Sequence, residues 1–425
     1  MMNRRTFMKK AAQIPAGLAA GSMLPVLPDR ANAQESAGVT AAIPTPIQVV
    51  IDDVGWWNGH DGNKEQEPYR TGIARNHVPE DYQAVVDLGR ALGIRPQAVM
   101  ILCEWDRKNI LRKVPTATWM GADWDNSKWV GPWLDRAAEI IRGNQSHFEV
   151  TLHGIGHEYW TGGKFTRAEW ADRDGTMRPL DQVEAHLDAF AALLEQNQLG
   201  SFPTTWVPCA FFHGFGPTGD HKQSAAEVVN KRGIVYINTP WGNLHNREAA
   251  QYGVFGFDAG VITVDRGQDA LPWQAIGVPP KRPVRGPTCG MHWPNLLHPD
   301  PQRNSETVEN WVRFLRPFND RVDAMLAPDS LFFRNQLVHS VCTPLTVADR
   351  TIRLDFTKVD GMPGTLGRQG LTLRIKSLGP VQLASTSIKI ASEKAEQKEG
   401  FLLSTIRLER IPGRRQAELT FTPRA

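Results

Sequence analysis

Between residues 48 and 292 the chain repeats one unit seven times: a short run of β-branched and apolar residues, then a polar stretch that in most intervals has a helical period. The runs are 48–53, 97–103, 148–153, 205–211, 234–237, 261–264 and 288–292, and helices are predicted at 80–92, 130–142, 180–198 and 223–231, with another at 306–325 after the last run. In the third helix Val183, Leu187, Phe190, Leu193 and Leu194 recur at three- and four-residue spacing, so one face is apolar. Near-continuous apolar strands separated by crossover helices imply a parallel sheet covered on both faces. Seven units without a nucleotide-binding glycine turn predict an α/β fold, a seven-stranded deformed (β/α) TIM-like barrel that is closed or nearly closed. In such a barrel chemistry gathers at the carboxyl ends of the strands.

The pattern changes after Pro344. All 14 Trp and 5 Tyr lie between Trp56 and Trp311, and segments 351–356, 371–376 and 417–421 alternate apolar and polar residues. A small all-β, β-sandwich-like accessory module is therefore expected at 345–425, with the barrel at 34–344. Having only Phe among large aromatic faces, the module is expected to be a structural companion and not a sugar binder.

The amino terminus has the features of an export segment. Arg4-Arg5-Thr6-Phe7-Met8-Lys9 resembles a twin-arginine (Tat) signal, an apolar stretch spans 11–27, and Ala31-Asn32-Ala33 has the small-x-small form of a cleavage site. Residues 1–33 are thus expected to be a Tat signal peptide. That implies the Tat export machinery as partner of the precursor and a periplasmic or secreted product, with no lipid anchor because no Cys follows Ala33. The segment carries five of the basic residues against one acidic, net +4, so the chain total of +3 leaves about −1 on the remainder. This removes the case for a nucleic-acid partner. The four cysteines are too few for a disulfide scaffold. Cys103, Cys209 and Cys289 fall in runs that are not neighbours, so buried free thiols are expected.

If the barrel register is right, six of the seven strand ends carry ionisable groups. They are Asp52-Asp53, Glu104 and Asp106, His153 with His157 and Glu158, His213, Asp265-Arg266, and His292, while the fifth leads to Trp241. Adjacent strand residues point to opposite sides, so Asp52 and Asp53 should have different tasks. One can bind a metal while the other stays free as a base. The His-x-x-x-His spacing lets one short turn present two imidazoles to one cation, and Gly154 and Gly156 permit a tight backbone there.

With these residues in place, the sequence resembles the polysaccharide deacetylase family, the NodB-type carbohydrate esterases, over about Gln48–Met325. Val50-Ile51-Asp52-Asp53 matches the family's first motif, and His153 to His157 its second. The resemblance implies Asp52 as catalytic base and Asp53, His153 and His157 as ligands of one divalent metal, Zn foremost, with Co, Ni or Fe as alternatives. It also implies His292 as catalytic acid, with His298 as the other candidate, oriented by Asp265 or by the Asp269 to Trp273 segment. The third motif departs: Trp206 stands where an Arg contacting the base is expected, which leaves Arg70, Arg75 or Arg266 to supply that contact. The insert after the first motif, Gly55 to Gly62, is also unusual.

The resulting expectation is an exported metal-dependent hydrolase that removes acyl groups from a carbohydrate substrate. Trp56, Trp57, Glu104, Asp106, Trp160, His213, Trp241, Arg266 and Trp293 are the candidates for substrate binding. Two rival readings remain: a metal-independent glycoside hydrolase pairing Glu104 with Asp106, Asp265 or Glu158, and a non-catalytic carbohydrate-binding protein on the same scaffold. Glu104 and Asp106 are equally readable as ion-pair partners of Arg107 or Arg112. His60 and His77 read as loop histidines.

Overall fold

The computed structural model describes residues 33–60, 69–162 and 164–423. The signal-peptide reading, apart from Ala33, and residues 61–62 of the insert lie outside the described residues. All seven apolar runs are strands: β1 Thr45–Val54, β2 Gln97–Ile101, β3 Glu149–Gly154, β4 Thr205–Trp206, β5 Tyr236–Thr239, β6 Val261–Asp265 and β7 Thr288–His292. Parallel ladders join them in the order β7-β1-β2-β3-β4-β5-β6.

The helices between them are α1 Pro79–Leu92, α2 Pro132–Gly143, α3 Leu180–Gln196 and α4 Ala225–Asn230. Local chemistry sets the ends of α1. Pro79 opens it, the Asp81 carboxylate accepts the Val78 amide at 3.1 Å, and Gly93 closes it with φ 66°. The helix expected at 306–325 is shorter, α5 Asn304–Leu315. A further helix, α6 Ser330–Cys342, was not anticipated, because its apolar residues do not gather on one face.

Side-chain alternation divides the sheet into two faces. Val49, Ile51, Ala98, Met100, Leu152 and Ile237 join helix residues such as Val85, Leu88, Ile141 and Leu187 in one large core. Val50, Val99 and Val207 form a separate small cluster on the opposite face.

The fold is mixed α/β, and the sheet curls into a half-barrel. Among the described residues no ladder joins β6 to β7; instead β6 pairs antiparallel with Phe255–Asp258, and the start of β1 pairs with Ala324–Leu326. The space beside β7 is taken by the Arg266 and Asp269 side chains, and Ala270 N–H donates to Gly290 O at 3.1 Å. The connection to β7 holds Pro272, Pro279, Pro280, Pro283 and Pro287, none of which can donate to a ladder.

The residues after 344 form two antiparallel sheets, but the expected boundary is crossed. The five-stranded sheet contains Ala33–Ser36 and Val39–Ala42; Val39–Ala42 pairs onto Gly370–Ser377, and Ala33–Ser36 pairs with Val39–Ala42 at the edge. Val39, Ala41 and Ile43 enter the same core as Leu354, Leu373, Ile406 and Phe421. Gln336 of α6 ties this module to the barrel, exchanging hydrogen bonds of 2.8 and 2.9 Å with the Thr372 backbone. Among the described residues no helix is long and apolar enough to cross a membrane.

Candidate metal centre

The ends of β1 and β3 are both irregular. The β1–β2 ladder shifts register between Ile51 and Val54, and the β2–β3 ladder skips His153. Asp53 and His157 adopt left-handed backbone, φ 63° and 58°. Bulges of this kind re-aim side chains at a strand end. Asp53 is thereby turned toward the β3 loop, where its Oδ1 lies 3.3 Å from His153 Nε2 and 3.5 Å from His157 Nε2. The two imidazole rings meet edge to face, centroids 4.7 Å apart.

These three residues suit a divalent cation. His153 Nδ1 donates to Val207 O at 2.7 Å, so its Nε2 carries the free lone pair on the side facing Asp53. Asp53 Oδ1 is buried without a hydrogen-bond partner, and a buried carboxylate oxygen facing two ring nitrogens is stabilised by a shared cation. Burial opposes ionisation of Asp53, but His157, the close approach of His153 and the charge of His292 outweigh it and hold the carboxyl far below the usual carboxylate range. Burial opposes protonation of His153 too, yet the facing Asp53 carboxylate leaves its pKa raised. Burial, helped by Arg167, pushes His157 well down, favouring the neutral form a metal requires.

The ligating atoms of His153, His157 and Cys209 also lie within 4.8 Å of one another. The Cys209 thiol, however, donates to His153 O at 3.2 Å, and burial drives its pKa well up. Asp53 is the stronger anionic donor. All four cysteines are free and buried.

Beside this triad stands a second group. Arg266 Nη1 donates to Asp52 Oδ1 at 2.9 Å and its Nη2 lies 2.6 Å from Oδ2, while its Nε donates to Asp269 Oδ1 at 3.0 Å. His292 sits between the two carboxylates, Nε2 4.0 Å from Asp52 Oδ2 and Nδ1 3.4 Å from Asp269 Oδ2. Asp52, Asp269 and His292 converge closely enough to ligate a cation as well, but the Arg266 guanidinium already bonds both carboxylates. Gly290 of β7 makes room: a Cβ there would stand 2.5 Å from both Nε and Nη2 of Arg266.

Of the three arginines considered for the missing third-motif contact, only Arg266 reaches Asp52. Arg70 pairs with Glu104 at 3.1 Å and Arg75 with Asp81 at 2.7 Å. Trp206 cannot serve because it points into the large core, against Trp170. Asp265 does not orient His292; it accepts the amides of Trp241 and Gly267 at 3.1 and 2.9 Å, and that task falls to Asp269.

Several proposed substrate contacts are instead structural. Glu104 is buried, accepting the amides of Trp57 and Asn58 besides Arg70. Asp106 accepts the amides of Lys108, Ile110 and Leu111 and the Trp124 ring N–H. Neither pairs with Arg107, which bonds Asp135 and Asn197, or with Arg112, which donates to Trp124 O. Glu158 is buried and accepts the Tyr69 amide. Trp56 and Trp293 are buried, Trp293 stacked on His77. His213 is buried with neither nitrogen hydrogen-bonded, and burial lowers its pKa to about 4. Trp57, Trp160 and Trp241 remain partly exposed, whereas His60 is exposed and His298 binds the Asp300 backbone.

Sequence reasoning passed over Glu169, whose carboxylate gathers the backbone amides of the His-x-x-x-His turn; only its place in a loop between β3 and α3 could have hinted at it. No family model matches the chain, and no curated protein matches it.

Proposed function

We propose that the chain is an exported metal-dependent hydrolase that removes acyl groups, acetyl foremost, from a carbohydrate or peptidoglycan-type glycan. It would act in the manner of the polysaccharide deacetylases its first two motifs resemble. One observation carries this reading: Asp53 Oδ1, buried and unpartnered, faces both histidine Nε2 atoms, while its neighbour Asp52 is held apart by Arg266.

Asp53, His153 and His157 would hold one divalent cation, Zn foremost. Such a cation supplies Lewis acidity, making water a better nucleophile at neutral pH and stabilising negative charge on an acyl oxygen. Asp52 would accept the proton of the attacking water as the new C–O bond forms. Arg266 keeps Asp52 oriented and prevents the paired carboxylates from repelling each other. His292, positioned by Asp269, would give a proton to the leaving nitrogen or oxygen as the acyl bond breaks, and each proton transfer contributes roughly 10²- to 10⁴-fold in rate. The partly exposed Trp57, Trp160 and Trp241 offer apolar faces to sugar rings.

Metal analysis and acetate release from acetylated glycans test this reading. About one Zn per chain, lost in His153→Ala, with acetate release lost in Asp52→Asn while metal stays bound, supports it. Cleavage of aryl glycosides by metal-free protein would instead establish the glycosidase reading. Metal binding without acyl release, unchanged by Asp52→Asn, would establish the binding-protein reading.

A further inference from the structure

We infer that Glu169 is the positioning residue of the metal centre, a buried carboxylate that clamps the Ile155–His157 backbone and so fixes the His157 ring opposite Asp53. The inference rests on the metal-binding reading above. Glu169 Oε2 lies 3.0, 3.3 and 3.1 Å from the amide nitrogens of Ile155, Gly156 and His157, and Oε1 accepts the Ile155 amide at 2.9 Å. Three successive N–H groups converging on one carboxylate form an anion nest closed by the chain's own side chain.

The turn needs such a clamp. It contains two glycines, which leave its backbone otherwise free, and it ends in His157 with φ 58°, a conformation that costs about 1 kcal/mol or more for a residue with a side chain. The next residue holds the other end, since Trp170 Nε1 donates to His153 O at 2.6 Å. Residues 169 and 170 thus grip the carbonyl of the first proposed ligand and the amide of the second. Gly154 is what permits this approach, because a Cβ there would overlap the Glu169 carboxylate and stand 2.9 Å from Cys209 Sγ. Behind Glu169 the His186 ring of α3 bridges to the loop after β2, its Nδ1 2.8 Å from Oε1 and its Nε2 2.7 Å from Pro115 O.

Glu169 touches no proposed ligand atom, so its effect should appear in metal affinity and coordination geometry. The test measures Zn(II) affinity by competition and the visible absorption of the Co(II)-loaded full chain, for the wild type, Glu169→Gln, Glu169→Asp and His186→Gln. Glu169→Gln removes the negative charge and leaves one acceptor oxygen where the carboxylate has two. Zn affinity should fall ten- to a hundredfold, as for other partners that orient metal ligands, with an altered Co(II) spectrum. Glu169→Asp, which restores the charge, should recover part of both, and His186→Gln should show a smaller change in the same direction. If Glu169→Gln does not fold, His186→Gln decides the matter. Unchanged affinity and spectrum in the folded variants would overturn the inference while leaving the metal reading intact. A wild-type chain that takes up neither Zn nor Co would overturn both.

Discussion

Arg266 grips Asp52 with both ends of its guanidinium, 2.9 Å to Oδ1 and 2.6 Å to Oδ2, across a separation of 214 residues in the chain. The pair is fully buried, and Arg266 also contacts the partly exposed Asp269. Removing the cation leaves the buried Asp52 carboxylate without its partner, beside a second carboxylate. Arg266→Met should therefore cost about 3–5 kcal/mol of stability, the usual penalty for breaking a buried pair, and should abolish hydrolysis. Urea unfolding measures it, and Arg266→Met combined with Asp52→Asn should be more stable than Arg266→Met alone.

Gly290 offers a way to move the guanidinium without deleting it. Gly290→Ala places a methyl that overlaps Asp269 Oδ1 and stands 2.5 Å from Arg266 Nε and Nη2, which displaces both side chains from their places beside Asp52 and His292. Acyl hydrolysis should drop at least tenfold, while Zn uptake at Asp53, His153 and His157 stays at the wild-type level. A Gly290→Ala enzyme with full activity would show that the Arg266 contact does not matter to catalysis.

Metal should stabilise the fold. The three donors lie on two separate strand ends, and the cation joins them only in the folded chain. Zn at a hundredfold excess over Kd should add about 2.7 kcal/mol, seen as a rise in Tm that chelator reverses and that Asp53→Asn or His153→Ala abolishes.

Acid should destabilise the chain through His213. Its pKa is about 4 in the folded protein against an ordinary 6.5, because burial disfavours the cation. The unfolded chain therefore binds more protons between these values, and stability rises with pH across that window. The contribution is intact above pH 6.5 and is lost as pH falls toward 4, amounting to about 3 kcal/mol. His213→Phe should flatten the stability profile between pH 6.5 and 4, measured by denaturant titration at several pH values.

The amino-terminal strands should be required by the carboxyl-terminal module. A chain beginning at Pro44 lacks Val39, Ala41 and Ile43 from its core and exposes the edge of Gly370–Ser377. The loss is about 3–6 kcal/mol at ordinary values for burying such side chains. Limited proteolysis should then cleave first within residues 345–423.

The strands were readable because their apolar runs are short, local and bounded by turn residues; all seven coincide with ladders of the sheet. His153 and His157 were readable because their spacing on one strand end limits what they can reach, while the choice of Asp53 over Asp52 came from the resemblance of the first motif. Asp269 was favoured over Asp265 only by geometry. Asp265 ends β6 and Asp269 follows four residues later, and nothing local says which carboxylate turns back to His292. Glu104 and Asp106 look like rim carboxylates in sequence, and only their amide partners identify them as supports for loops.

The sequence by itself determined which segments become strands, the order of the parallel units and the residues able to ligate a cation, since these depend on periodicity and short spacing. Tertiary structure decided the remainder. It curled the sheet into a half-barrel, carried residues 33–42 onto the distal module, and gave Asp52 its arginine from the residue that follows β6 instead of from β4. Each of these depends on contacts between residues far apart in the chain, where the free energy of burying a charge or an apolar edge selects among partners that local sequence leaves equivalent.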